Sequence, residues 1–359
     1  MQKAAEFIQR SLLFWLTACS LAAFFWPDMV GAGTLDPFLT TAPAIPYQFA
    51  VTMFCIGCLL PRKEVNELAT RWPTVLGGTA IQYLSMPLLA WGVATVLGLE
   101  GPYLVGVIVV GCVPGAMASN VLTLAARGNV SYSVSLTTMA TILSPFIVPL
   151  VLKLTLSHEQ DVPTQKIMIA LLWQVVGPVI AGHVICRAAS GFTQFMRSLG
   201  PIVANGTIVW IIAIVVAKNR ANLETIFDSD GAALSLAVGL LTLNILGYLA
   251  GFGGGTALGL PDGMRRALTI EVGMQNAGLG TSLVQQFFKD EPAASLPPAL
   301  YTFGCMLTGT LLAQWWSRRP PTDENASVSD VQENAAPESD SAAAIKTEGS
   351  DDSEARSSD

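Results

Sequence analysis

Charge is what this 359-residue chain has least of. Asp, Glu, Lys and Arg together make up 13% of it, against roughly 25% in an ordinary soluble domain. Hydrophobic residues make up 52%, and the mean hydropathy is +0.52. That deficit excludes a soluble globular protein and leaves no basic surface for a nucleic acid. Histidine is nearly missing too, with His158 and His183 the two copies. Neither stands at a suggestive spacing from Ser119 or Ser133, so an intramembrane hydrolase would lack its general base, and both histidines read as structural or interfacial. Cysteine occurs six times, at Cys19, Cys55, Cys58, Cys112, Cys186 and Cys305, always within apolar stretches. Cys55-x-x-Cys58 has no second pair and no nearby His to complete a tetrahedral metal site, so the thiols read as packed and free. Gly251-Phe-Gly-Gly-Gly255 is too irregular for a phosphate-binding loop and reads as flexibility at a helix end. No enzyme and no cofactor is expected.

What the chain has instead is apolar runs. Ten of them, near residues 11–27, 45–60, 74–98, 103–125, 131–152, 168–186, 201–217, 232–258, 267–288 and 295–315, suit a hydrocarbon core about 30 Å thick. The expected fold class is an all-α polytopic membrane protein with ten transmembrane helices in a lipid bilayer. Leu16-Thr-Ala-Cys19, after Lys3 and Arg10, resembles a lipoprotein cleavage box, but cleavage would leave nine crossings, so the first run is expected to be retained. Lys and Arg orient the chain. Lys3, Arg10, Arg62, Lys63, Arg71, Arg127, Arg187, Arg197, Arg265, Arg266, Arg318 and Arg319 fall on one side; Lys153, Lys166, Lys218, Arg220 and Lys289 fall on the other. That bias places both termini in the cytoplasm. The net charge of −7 is unevenly spread, because eleven acidic and two basic residues from Pro320 onward give −9 and leave +2 on the rest. Residues 1–318 are therefore expected to form the membrane domain, and 319–359 a disordered acidic tail without an aromatic residue.

Two runs carry breaks. The fourth contains Gly111-Cys-Val-Pro-Gly-Ala-Met-Ala-Ser-Asn120, and the ninth Glu271-Val-Gly-Met-Gln-Asn-Ala-Gly-Leu-Gly280. In each, a Pro or Gly break precedes a polar pair, Ser119-Asn120 or Gln275-Asn276, and a helix then resumes. Their places, fourth and ninth, imply a period of five helices, and an odd number of crossings inverts the second half relative to the first. Paired interruptions in matching halves point to a secondary transporter's binding site, because freed backbone groups survive at membrane depth only where they line a cavity or bind something. Pro87, Pro145, Pro149 and Pro178 read as simple kinks. Glu271 is the single Asp, Glu, Lys or Arg within the ten runs. A bare carboxylate at mid-bilayer costs several kcal/mol, so its partner is an imported cation or a transported proton. Hydroxyl, amide and carbonyl oxygens suit a hard cation, and Ser133 and Thr137 share one face of the fifth run. Gln82 is a further lone amide in the third.

Pro114-Gly-Ala-Met-Ala-Ser-Asn120, followed by Arg127-Gly-Asn, Ser133 and Thr137, resembles one signature of the bile acid:sodium symporter family, and EVGMQNAGLG resembles another. The likeness extends over roughly residues 10–316. It implies two inverted five-helix repeats, a panel of helices 1, 2, 6 and 7, a core of helices 3–5 and 8–10, and helices 4 and 9 crossing at unwound centres. By the same resemblance, one sodium site would use Ser119, Asn120, Ser133, Thr137 and Glu271. A second would use Gln82, Glu271, Gln275 and the carbonyls of Val272 and Met274. The substrate, a bile-salt-like or small carboxylate anion, would face Asn276 and the backbone near Met117, Ala118 and Ser119. Many relatives carry Gly-Gly-Thr where this chain has Gly115-Ala116-Met117, so a thioether stands in place of a hydroxyl. The implied function is sodium-coupled import of an organic anion by alternating access, with two Na⁺ per monoanion, in a bacterial inner membrane and with no obligate protein partner. A proton-coupled carboxylate transporter using Glu271 is the alternative, and a channel is the rival with a continuous polar lining.

Overall fold

The computed structural model describes residues 12–31, 33–60, 71–156, 161–228 and 231–321. Lys3, Arg10, Arg62, Lys63, His158 and the acidic tail from Thr322 lie outside them. The described chain is helical, and its one β-type contact among these residues is a single bridge. In chain order the helices are α1 (Leu12–Val30), α2 (Pro37–Thr41), α3 (Ile45–Leu59), α4 (Trp72–Val96), α5 (Gly101–Cys112), α6 (Ala118–Ala125), α7 (Val130–Leu156), α8 (Thr164–Leu171), α9 (Gly177–Ala188), α10 (Ser190–Lys218), α11 (Arg220–Asp228), α12 (Ala232–Ala257), α13 (Asp262–Gly273), α14 (Ala277–Phe287) and α15 (Leu296–Ser317).

Local sequence accounts for many of the boundaries. Pro46, Pro73, Pro102, Pro178 and Pro297 occupy first turns, where the missing N–H leaves no helical bond unmade. Asp36 caps α2 by accepting from the amides of Phe38 and Leu39. Pro27, Pro87, Pro145, Pro149 and Pro201 sit inside unbroken helices. Pro114 does not: Val113 before it is extended at φ −74°, ψ 155°, and α5 stops. Several runs are longer than the sequence suggests. The second gains α2 and a 3₁₀ turn, the seventh extends back to Ser190, and the sixth is α8 joined to α9 through a π turn at Leu172–Val176.

Eight segments among the described residues are long and apolar enough to cross a membrane, and these are α1, α2–α3, α4, α7, α8–α9, α10, α12 and 292–317. Each half of the two interrupted runs, α5–α6 and α13–α14, is too short alone, since twelve residues reach only about 18 Å. Large apolar side chains face outward along the long helices, Leu84 and Leu88 on α4 and Leu154 on α7 each at least 66% exposed. A soluble monomer does not tolerate such a girdle, and a bilayer supplies its solvent. One group of helices packs α10 on α3 and α1, and α9 on α3; another packs α12 on α13, α4 and α15, with α7 against α4, α5 and α13.

Close approach is set by glycine. A Cβ on Gly57 would fall on the Val179 carbonyl, and one on Gly182 would strike the Phe54 carbonyl, so α3 and α9 touch through backbone. Gly57→Val is expected to destabilise the protein by more than the ~1–3 kcal/mol typical of an overpacked core and so to lower its thermal midpoint, and an unchanged midpoint in detergent would refute this contact. Three of the four glycines of Gly251-Phe-Gly-Gly-Gly255 also pack rather than flex, while a Cβ at Gly253 would meet open space. They lie inside α12, and Cβ atoms would come within 2.7 Å of the Leu268 carbonyl oxygen at Gly251 and 2.6 Å of Ile81 at Gly254. The expectation of a loose helix end is corrected by that tight seam. All six cysteines are free, and all but Cys19 are buried.

Candidate cation and anion site

The two interruptions meet. Gly115 and Gln275 form an antiparallel bridge, the Ala116 amide donates to the Met274 carbonyl at 2.8 Å, and the Asn276 amide donates to the Pro114 carbonyl at 2.7 Å. The breaks are made differently. Pro114 ends α5, whereas α13 runs out at Gly273 with Met274 extended at φ −113°, ψ 93°. Asn276 then starts α14, its Oδ1 accepting from the Leu279 amide at 3.0 Å. Breaking a helix releases carbonyls and amides that need partners, and here much of the demand in each break is met by the other.

Glu271 sits one turn before the second break, fully buried. Its carboxylate accepts from Ser119 Oγ at 2.5 Å and from Thr137 Oγ1 at 2.7 Å. Among the described residues no Lys, Arg or His is ion-paired with it. The cations of the lengthened helices are used elsewhere, Arg265 and Arg266 on Asp262 and Arg220 on Asp36. A hydroxyl that donates to a carboxylate keeps lone pairs for a cation, so Ser119 and Thr137 can serve both.

Around this centre the residues expected of the first sodium site are brought together. Ser133 is buried and its Oγ accepts from Thr123 Oγ1 at 3.2 Å, while its carbonyl lies 3.1 Å from the Thr137 hydroxyl, whose single proton is shared with the nearer Glu271. Asn120 Oδ1 is buried without a protein partner. Residues expected of the second site adjoin as well. Gln82 Nε2 points to Gln275 Oε1 at 3.4 Å, and Gln275 Nε2 donates to the Val272 carbonyl at 2.7 Å. Gln82 Oε1 has no partner. Native proteins leave few buried polar atoms unpaired, and each calls for an explanation. Two amide oxygens beside an unpaired carboxylate fit a hard cation.

The residues expected to face an anion are less enclosed. Met117, Ala118 and Asn276 are half-buried, whereas Ser119 is fully buried. Met117 packs on the apolar cluster that includes Phe49 and Val113, and Asn120 Nδ2 lies 3.7 Å from its sulfur. Asn276 spends Oδ1 on its cap and keeps its Nδ2 donors. Thr123 was not singled out from sequence, although it lies one helical turn beyond Ser119 on the same face. Nor was the reciprocal amide pair of Gln174 and Gln286, at 2.8 and 3.0 Å, which joins the π turn to α14.

A polytopic helical protein whose two interrupted helices meet over one buried carboxylate belongs to the class of secondary transporters built on discontinuous helices. Residues 47–227 match the sodium bile acid symporter family. The chain is 32% identical over 320 residues to an uncharacterized sodium-dependent transporter, YocS, of Bacillus subtilis (strain 168), covering 89% of this chain and 94% of that one. It is 31% identical over 271 residues to a probable chloroplastic sodium/metabolite cotransporter, BASS1, of Arabidopsis thaliana, covering 76% and 66%. With the P3 protein of Bos taurus it shares 29% identity over 234 residues, covering 64% and 48%. The chain belongs to the sodium bile acid symporter family, and so is a membrane transporter rather than an enzyme.

Proposed function

We propose that this protein imports an organic anion by sodium symport. The observation that carries the reading is Glu271, fully buried, bonded by Ser119 and Thr137 and ion-paired with no Lys, Arg or His among the described residues, with unpartnered amide oxygens on Asn120, next to Ser119 in the chain, and on Gln82, which contacts Gln275. In this reading one Na⁺ is held by Ser119, Asn120, Ser133, Thr137 and Glu271, and a second by Gln82, Glu271, Gln275 and the carbonyls of Val272 and Met274. Two Na⁺ against one carboxylate leave a charge of +1 that a monovalent anion neutralises, so the pocket needs no Lys or Arg. The anion, bile-salt-like or a small carboxylate, lies against Asn276, Met117, Ala118 and Ser119. Glu271 stays with the protein, one net positive charge enters per cycle, and the membrane potential assists by about 2.3 kcal/mol per 100 mV.

Counting each interrupted pair as one crossing supports a reading of ten helices, which we take as two inverted repeats of five. The packing supports a division into a panel of α1, α2–α3, α8–α9 and α10 and a core of the remainder, with alternating access as motion between them. Arg266 supports the orientation. Its Nη1 donates to the carbonyls of Ala126 at 3.0 Å and Arg319 at 2.9 Å, gathering three basic stretches at one end, which we place in the cytoplasm. A bacterial inner membrane is the proposed location.

The test needs no substrate. Thermal unfolding in detergent is compared in NaCl, KCl and choline chloride at equal ionic strength. A ligand at 100 times its dissociation constant stabilises by about 2.7 kcal/mol, so a sodium-specific rise of several degrees is expected. Equal midpoints in the three salts would overturn sodium coupling, and a pH series would then ask whether Glu271 carries a proton instead.

A further inference from the structure

The second break frees three consecutive carbonyls, and the protein treats them unequally. In a continuous helix, Val272, Gly273 and Met274 would receive the amides of Asn276, Ala277 and Gly278. Asn276 N goes instead to Pro114, and Ala277 N to the Gln275 carbonyl at 2.8 Å. The Val272 carbonyl then takes one bond, from Gln275 Nε2, and that of Met274 takes one, from the Ala116 amide. The Gly273 carbonyl takes two, from Asn244 Nδ2 at 2.7 Å and Tyr301 Oη at 2.8 Å. A carbonyl oxygen has two lone pairs. Those of Val272 and Met274 each keep one for a cation, while that of Gly273 is filled.

The two donors come from outside the broken helices, Asn244 from α12 and Tyr301 from α15, and both are almost wholly buried. They are themselves held. Thr308 Oγ1 donates to Asn244 Oδ1 at 2.6 Å, which turns the amide so that its NH₂ faces Gly273. Tyr248 Oη lies 3.1 Å from the same hydroxyl, and its ring lies against Gly273 where a Cβ would overlap it. Neighbouring carbonyls of an extended backbone point to opposite sides. Holding Gly273 O toward α12 and α15 therefore goes with Met274 O facing the opposite break, where Ala116 meets it.

We infer that Asn244 and Tyr301 are positioning residues for the second cation: by filling both lone pairs of the Gly273 carbonyl they keep it out of the cage and hold Met274 turned toward it. The inference rests on the sodium reading of this site. Without the clamp, the Gly273 peptide can rotate, which moves a ligand carbonyl out of place and offers a competing one. A merely structural role predicts something different, namely a loss of stability that is equal in every salt.

The experiment titrates NaCl against choline chloride at constant ionic strength on the full-length protein and reads the thermal midpoint. Asn244→Leu and Tyr301→Phe each remove one donor at similar volume. Each is expected to raise the sodium concentration for half-maximal stabilisation by about fivefold, the loss of one hydrogen bond, and the double variant by more. Midpoints in choline should fall modestly, by about the one buried hydrogen bond each variant loses, and the shift in half-saturation comes on top of that fall. Thr308→Val, which leaves Asn244 in place but unoriented, should shift half-saturation in the same direction and by less, and it serves if Asn244→Leu fails to fold. Unchanged half-saturation in the variants, beside a wild type that responds to sodium, would overturn the inference alone. Absence of any sodium response in the wild type would remove the sodium reading and this inference with it.

Discussion

Glu271→Gln is expected to abolish sodium-dependent uptake and the sodium-specific rise in thermal midpoint, while leaving the protein folded. The substitution keeps the shape of the side chain; of the two hydroxyls that donate to Glu271, Ser119 and Thr137, one still donates to the amide oxygen and the other turns to accept from the NH₂. It removes the charge. Opposite unit charges about 4 Å apart attract by about 4 kcal/mol at an effective dielectric of 20, and every 1.4 kcal/mol is a factor of ten in affinity. Sodium affinity should therefore fall by roughly two to three orders of magnitude. In choline the variant should be as stable as wild type or more so, because a buried charge without a partner is itself costly. That combination separates a lost ligand from a damaged fold. Sodium-dependent uptake retained in Glu271→Gln would sink the assignment of the carboxylate, and uptake in the wild type driven by a pH gradient without sodium would favour the proton-coupled alternative.

Gly115→Ala is expected to weaken sodium binding as well, from one methyl group. A Cβ at Gly115 would overlap Glu271 Oε1 and lie 2.7 Å from the carboxylate carbon and 3.2 Å from Cγ. Residue 115 cannot withdraw, because it is bridged to Gln275 and its neighbour Ala116 is bonded to Met274. The carboxylate must move instead, and Glu271 is fully enclosed with Ser119 and Thr137 on its two oxygens. Displacing it breaks at least one of these bonds and takes the shared ligand away from both proposed cations. Half-saturation by sodium should rise tenfold or more, about the effect of losing a hydrogen bond to a charged group. The midpoint in choline should fall by no more than a few degrees. A wild-type sodium titration in Gly115→Ala would show that Glu271 does not need this position.

Much of this was open to a reading of the chain alone, for a definite reason. A membrane span is a local property, so length, hydropathy and the scarcity of charge located the apolar runs. The α5–α6 and α13–α14 interruptions are local as well, marked by Pro114, Gly273 and the polar pairs that follow. Glu271 stood out because nothing else in the runs was charged. Boundaries fared less well. The glycines of α12 read as looseness because their partners, Leu268 and Ile81, are distant in sequence. The π turn in the sixth run left no local mark beyond Pro178.

A membrane protein with two interrupted helices and one carboxylate within its apolar runs is legible residue by residue, since each of these features depends on a few neighbouring residues and on the cost of charge in hydrocarbon. What the interruptions bring together depends on contacts between residues far apart in the chain. Gly115 and Gln275 are 160 positions apart, and Gln82 and Gln275 are 193 apart. The clamp on Gly273 draws Asn244 and Tyr301 from two further helices. A lone Asn in an apolar run reads like any packing amide until the carbonyl it faces is known, and which carbonyls stay free follows only from the pairing of the two breaks.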